Sequence, residues 1–361
     1  MLSTTLWKGC SLTRYNGISL AWKPWFSSRG ANDFVRYFAL CPQRRCFHQD
    51  ALQVEYDRDS GKITLLTTEN NGANAASTSQ LFFQTIIGLE IHAQLDIPTK
   101  LFSSSPTATA YAAALQKSLK SCISSEATAN TLVSLFDAGY PGVLPLLSES
   151  AVHKALLASS ALNCQIHPVS RFERKHYTYA DLPLGYQITQ QRWPVASNGH
   201  LKCRNFHQPL TDDHVPKHGL VLSALDISYF TVGIHRIQLE QDTGKTILSS
   251  FHKQLIDLNR AGCALIEIVF LPDIRSAHQA AAVVSTLQQL LKHIGVCDGK
   301  MEDGSLRCDL NISIAPITTA STTKAQHELN HSRTICYGGE YVSSLPVNCG
   351  KQVEVKNLNS K

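Results

Sequence analysis

Four stretches of this chain repeat one design, in which apolar residues alternate with chemically active ones at the two-residue period of a β-strand. In Ile86 to Leu95 the residues Ile87, Leu89, Ile91, Ala93 and Leu95 fall on one side of an extended backbone, and Gly88, Glu90, His92 and Gln94 on the other. Arg236 to Asp242 alternates Ile237 and Leu239 with Arg236, Gln238, Glu240 and Asp242. Leu306 to Ile314 sets Arg307, Asp309, Asn311 and Ser313 between apolar residues or cysteine, and Gln352 to Lys356 sets Gln352, Glu354 and Lys356 around two valines. Antiparallel sheets commonly bury one face and open the other, but a merely solvated face does not need so many carboxylates, arginines and amides. The pattern predicts an α+β fold: a curved antiparallel sheet with flanking helices, its polar concave face suited to a metal and phosphates. Same-side neighbours on a strand stand about 6.8 Å apart, so one cation is within reach of Glu90 and His92, directly or through water.

Other periods fill in the frame. A helix capped by Ser148 or Ser150 is expected to about Asn163, and Ser276 caps another whose Val283, Val284, Leu287, Leu290, Leu291 and Ile294 keep a three-four rhythm up to Gly295. Leu265 to Phe270 reads as a buried strand carrying one acid, Glu267, which needs a partner such as Arg260 or Arg275. Residues 137–147, DAGYPGVLPLL, give a Tyr-Pro-Gly turn backed onto an apolar run. Residues 171–190, RFERKHYTYADLPLGYQITQ, are dense in tyrosine and charge, which serves equally a nucleotide or ribose and the anchoring of a loop. Insertions are expected near 107–136, with a short helix, and near 316–342.

Composition changes the picture mainly at one end. Of 33 Lys and Arg and 28 Asp and Glu, residues 1–50 hold seven and two, so the remainder carries 26 of each sign and is neutral. A neutral body argues against a broad electrostatic nucleic-acid surface, though not a local one. The basic, acid-poor stretch 1–48 has the composition of a mitochondrial presequence, and the polar run after it predicts a flexible lead-in over 49–83. No apolar run approaches the roughly 20 residues that span a bilayer, so no membrane span is expected. The 11 cysteines are scattered without a CxxC pair, which points to a reducing compartment and to no structural zinc site.

The stretches IIGLEIHAQL, LFSSSP, YPGVLPLL, RKHYTYADLPLGYQITQ, LEQDTGK, DLNRAGCALIEIV, PDIRS, GKMEDGSLRCDLNIS and EVKNLNS occur in this order over most of residues 84–361. Together they resemble the B subunits of the glutamyl/aspartyl-tRNA amidotransferases, and the leader resembles their mitochondrial form. The resemblance implies a cradle domain over 84–361, with a fold like glutamine synthetase and the guanido kinases. It further implies a mitochondrial-matrix ligase that uses ATP and Mg2+ to phosphorylate the side-chain carboxylate of misacylated Glu-tRNA(Gln). Ammonia released by the complex's amidase subunit then displaces the phosphate, and a small linker subunit completes the complex. Phosphoryl transfer is mainly positioning and charge neutralisation, which suits this residue set.

Carried over residue by residue, the resemblance makes Glu90, His92 and Glu240 candidate metal ligands and sets Asp242 and Lys245 beside the phosphates. Lys300, Glu302, Arg307, Asp309 and Asn311, with Lys356, Asn357 and Asn359, would line the nucleotide and the transferred group. Lys175, His176, Tyr177, Tyr179, Asp181 and Tyr186 would lie toward the tRNA acceptor end or the ammonia route. Three departures stand out. Gln241 replaces a second acid found in many members. Ser103, Ser105, Ser134 and Asp137 stand where many members carry zinc-binding cysteines, so no zinc is expected. The resemblance ends at NLNSK, where the family continues into helical and tail domains, so a truncated chain is expected. Two other readings share these residues: a non-catalytic scaffold of the same complex, and a free-standing ligase of the glutamine synthetase type.

Overall fold

A computed structural model describes residues 13–15, 18–20, 52–57, 60–69, 77–119, 127–205, 228–248, 253–317 and 349–358. In chain order the strands before the first helix are β1 (Thr13–Tyr15), β2 (Ile18–Leu20), β3 (Leu52–Tyr56), β4 (Lys62–Glu69) and β5 (Ser77–Gln94). Helices α1 (Ala108–Leu119) and α2 (Glu149–Ala161) follow. Next come β6 (Gln165–Ile166), β7 (Glu173–His176), β8 (Tyr186–Thr189), β9 (Ala196–Asn205), β10 (Ser228–Gln241), β11 (Lys245–Leu248), β12 (Gln254–Asp257) and β13 (Ala264–Phe270). Helix α3 (Ala277–His293), β14 (Leu306–Pro316) and β15 (Val353–Leu358) complete the series.

Among the described residues, nine strands form one antiparallel sheet in the order β15-β14-β5-β13-β10-β9-β6, with β4 against β5 and β3 on β4. The antiparallel α+β expectation holds because the two-residue alternation is kept in register across the centre. Leu239, Ile266, Ala93 and Leu306 stand opposite one another in turn, as do Ile237, Ile268, Ile91 and Cys308. All eight are buried, and α2 and α3 cover this face. Helix α2 presents Ala151, Ala155 and Ala158, fully buried, and α3 presents Val283, Val284, Leu287 and Leu291. Each large side chain so buried contributes on the order of 1.5–3 kcal/mol.

The caps divide. The Ser276 hydroxyl accepts from the Gln279 N–H at 3.2 Å, as the sequence predicts. Ser148 occupies the N-cap of α2 without a side-chain cap hydrogen bond. Helix α1 supplies the short helix expected in the first insertion, whose residues 120–126 lie outside the described ones. Most of the second insertion, 318–342, lies outside them too, as does nearly all of the basic leader.

The lead-in expected to be flexible over 49–83 instead carries β3, β4 and the first part of β5. Its composition is polar, but KITLLTTE is rich in β-branched residues, carries Ile63, Leu65 and Leu66, and pairs along the N-terminal half of β5. Gly61, at φ +66°, makes the turn from β3 to β4 at a point where a Cβ would collide with the Arg275 carbonyl oxygen. Both the N–H and the hydroxyl of Thr85 donate to the Gly61 carbonyl, fastening this hairpin to β5. No helix among the described residues is long and apolar enough to cross a membrane.

Candidate functional site

The face of the sheet opposite α2 and α3 carries polar rows that run across strands. Gln238 of β10, Glu267 of β13, His92 of β5 and Arg307 of β14 stand directly opposite one another in sequence. A second row joins Arg236, Val269, Glu90 and Asp309 and ends at a β-bulge of β15. There Lys356 and Asn357 together face Asp309, Asn357 takes φ 56°, and its backbone N–H donates to Asp309 Oδ1 at 2.7 Å. Residues distant in the chain meet because antiparallel pairing keeps every second side chain on one face.

At the centre, His92 Nε2 lies 3.5 Å from Glu240 Oε2 and 3.9 Å from Glu267 Oε2. The three ligand atoms lie within 4.8 Å of one another. Burial disfavours charge on His92, but its hydrogen bond to Glu240 and the charges of Glu267 and Glu240 outweigh burial and the Arg307 charge and raise its pKa. Glu240 feels the same burial, but hydrogen bonding and charge from His92, with hydrogen bonds from Glu267 and Thr189, hold its pKa down. Glu267 is pushed up to about 8 by burial and by the Glu240 charge. Two carboxylates and an imidazole whose ligand atoms converge within 4.8 Å fit a divalent cation, and the acids suit a hard ion.

Of the three residues expected from sequence to hold a metal, the geometry groups His92 and Glu240 with Glu267 rather than with Glu90. Glu90 lies one row from the cluster and accepts from Asn311 Nδ2 at 3.0 Å. Glu90 is turned toward Asn311, whereas Glu267, directly opposite His92 on the neighbouring strand, converges with it. Glu267 does not pair with either expected arginine. Arg260 turns to Asp242 at 3.5 Å and to the carbonyls of Thr243 and Gly244, and Arg275 donates to the carbonyls of Pro272 and Ile274.

Asp242 is gripped by Arg307, with bonds of 3.3 and 3.0 Å from its two terminal nitrogens, while the buried Arg307 Nε has no protein partner. Lys245 is exposed on β11. Lys300 pairs outward with Asp303 at 3.3 Å and Glu302 is exposed, because Met301 between them is buried in the core. The structure therefore does not bring Lys300 and Glu302 to the cluster. Lys356 pairs with Glu354 at 2.9 Å, and that hydrogen bond, with the charges of Glu354, Asp309 and Glu90, outweighs burial and raises its pKa. Asn359 lies outside the described residues.

The tyrosine-rich stretch forms the β7–β8 hairpin. The Tyr177 hydroxyl donates to Gln187 Oε1 at 3.1 Å, and Gln187 Nε2 donates to the Gln241 carbonyl at 2.9 Å, tying the hairpin to the end of β10. Burial, then the charges of Glu240, Asp181 and Asp242, raise the Tyr177 pKa, so this ring stands beside the acidic cluster. Gly244 N–H donates to the Asp181 carbonyl. Tyr179 is exposed, as are Lys175 and His176, while the Tyr186 ring contacts His176 and has the Arg174 guanidinium 4.6 Å from its centroid.

Two features have no distinguishing signal in the sequence. Gln238 links Glu240 and Glu267. Lys100 is fully buried and pairs with Asp137 at 3.2 Å, while Ser103 and Ser134 donate hydroxyl hydrogen bonds of 3.0 Å to the same carboxylate. A lysine ammonium thus neutralises the buried Asp137 carboxylate. Gly262 admits this cluster, since a Cβ there would meet Asp137 Oδ1 at 2.8 Å. Gln241 points away from Glu240 by strand alternation. It lines a cleft with Asp137, Asp242 and Leu182 to Leu184.

Residues 85–335 match the family described as the GatB/GatE catalytic domain. The chain is also similar to the B subunits of several tRNA amidotransferases. That of the mitochondrial glutamyl-tRNA(Gln) amidotransferase of Phytophthora infestans is 38% identical over 77% of this chain and 49% of its own length. That of the chloroplastic/mitochondrial glutamyl-tRNA(Gln) amidotransferase of Ostreococcus tauri is 39% identical over 82% of this chain and 47% of its own length. That of the aspartyl/glutamyl-tRNA(Asn/Gln) amidotransferase of Rickettsia canadensis is 44% identical over 64% of this chain and 41% of its own length. The chain spans about half the length of these relatives.

Proposed function

The chain belongs to the GatB/GatE catalytic domain family, and from that premise we propose that it activates a carboxylate for amide formation on tRNA in an organelle. The substrate is the glutamyl side chain of misacylated Glu-tRNA(Gln), and the phosphoryl donor is ATP. An amidase subunit supplies ammonia, a small linker subunit completes the complex, and the compartment is the mitochondrial matrix. The relatives' names and the basic leader support this reading, and the nine-stranded sheet with one polar face is consistent with the cradle fold.

One observation carries the proposal: His92, Glu240 and Glu267 converge on the polar face within 4.8 Å, beside the Asp242–Arg307 pair. These three residues would hold Mg2+, which supplies charge neutralisation for phosphoryl transfer. Arg307, oriented by Asp242, offers positive charge to the transferring group, and Lys356 beside Glu90 and Asp309 adds another cation at the far edge. Asn311 orients Glu90, and Asp309 fixes the β15 bulge that presents Lys356 and Asn357 toward the nucleotide. Tyr177 and its hairpin face the incoming acceptor end.

The test measures Glu-tRNA-dependent ATP hydrolysis separately from glutaminase activity, with the chain in complex with the amidase. Glu240→Gln removes charge with little change of shape and is expected to lower ATP turnover on the order of a hundredfold, leaving glutaminase activity intact. Unchanged ATP turnover would refute the assignment of Glu240 to phosphoryl transfer.

A further inference from the structure

Gln238 lies at the centre of the polar face, 1% exposed, with no charge of its own. Its amide nitrogen faces three oxygens. Its two hydrogens are shared among Glu240 Oε1 at 3.1 Å, Glu267 Oε2 at a short hydrogen-bond distance and Thr189 Oγ1 at 3.0 Å. Its amide oxygen accepts from Arg236 Nε at 2.8 Å. That last bond fixes the orientation of the amide, because an arginine only donates: the oxygen must face Arg236 and the nitrogen must face the acids. Two N–H bonds thus serve both carboxylates, and the Thr189 hydroxyl adds a hydrogen bond to Glu240.

From this geometry we infer that Gln238 is a positioning residue that holds Glu240 and Glu267 at the spacing a divalent cation needs, with Arg236 as the lock on its orientation. The inference rests on the reading of His92, Glu240 and Glu267 as metal ligands. Two acidic side chains keep their oxygens on one point only when fixed partners hold their rotamers, and Gln238 supplies such a partner to both. A lysine or arginine in this position would also hold them together, but its charge would compete with the metal. A neutral amide orients both acids and leaves their charge for the ion. Partners of this kind, which touch ligands rather than metal, typically account for about 10–100-fold in metal affinity.

The test titrates Mn2+, followed by the loss of its free electron-paramagnetic-resonance signal, into the full 361-residue chain and into Gln238→Leu and Arg236→Met. ATP affinity in the absence of divalent metal and the apo-protein melting temperature are measured in parallel. Gln238→Leu keeps the volume and removes the bridge, and is expected to weaken Mn2+ binding about 10–100-fold. Arg236→Met keeps the amide but releases its orientation, and is expected to lose affinity in the same direction by a smaller factor, which keeps the inference testable if Gln238→Leu does not fold. Metal-free ATP affinity should stay within about twofold in both, a split that general loosening of the fold would not produce. Wild-type Mn2+ affinity in either folded variant would overturn the inference. Failure of the wild-type chain itself to bind Mn2+ would overturn the metal reading beneath it.

Discussion

Replacing Glu267 by Gln separates the energetic cost of the cluster from its use. The native pKa of about 8 stands against an ordinary value of 4.5. A raised acid pKa means that the folded protein holds this proton more tightly than the unfolded chain does. The corresponding stability is therefore complete below pH 4.5 and is lost progressively as pH rises through 8. The gap converts to at most about 5 kcal/mol by pH 9, at about 1.4 kcal/mol for each tenfold change. Glutamine keeps the shape and cannot ionise, so Glu267→Gln should cancel about 2–5 kcal/mol of the alkaline destabilisation. The assay is urea unfolding at pH 6 and pH 9 in the presence of EDTA. The variant should be relatively more stable at pH 9, and the same substitution should abolish stabilisation by Mn2+. Parallel pH dependence in the two proteins would refute the argument that burial and Glu240 press on this carboxyl.

Three further outcomes follow from the same geometry. Divalent-metal affinity should rise between pH 6.5 and pH 8.5, because the raised pKa values of His92 and Glu267 mean that bound protons must leave first. Calorimetric titration at the two pH values checks this, and flat affinity would contradict it. Lys100→Met should cost about 3–5 kcal/mol in urea unfolding by stranding the Asp137 charge, while Lys100→Met with Asp137→Leu should recover much of that loss. Glu240→Gln should depress tRNA-dependent ATP turnover without touching glutaminase activity, measured on the same preparation of the complex.

Much of this site is legible from alternation alone. Four strands announce a polar face because a carboxylate, histidine or arginine at every second position has few structural explanations. Register is not legible. Nothing local in Leu265 to Phe270 tells that Glu267 stands opposite His92 rather than near an arginine, since that depends on which strand inserts between β5 and β10. Gln238 and Lys100 escape notice for related reasons: an amide in a polar row has no distinctive spacing, and a lysine followed by Leu-Phe reads as surface until Asp137 is folded onto it. Lys300 and Glu302 err the other way, because a motif match does not say that buried Met301 turns its neighbours outward. The lead-in misleads because its polar composition masks the β-branched content of residues 62–69.

The polar face is expected to bind a divalent cation through His92, Glu240 and Glu267. Crystals of the chain soaked in Mn2+ test it by anomalous diffraction at the manganese edge. One strong peak is expected about 2.0–2.3 Å from His92 Nε2 and from an oxygen of each carboxylate, with the peak absent in Glu240→Gln. A peak bound elsewhere on the chain, or none at these three residues in the wild-type protein, would contradict it.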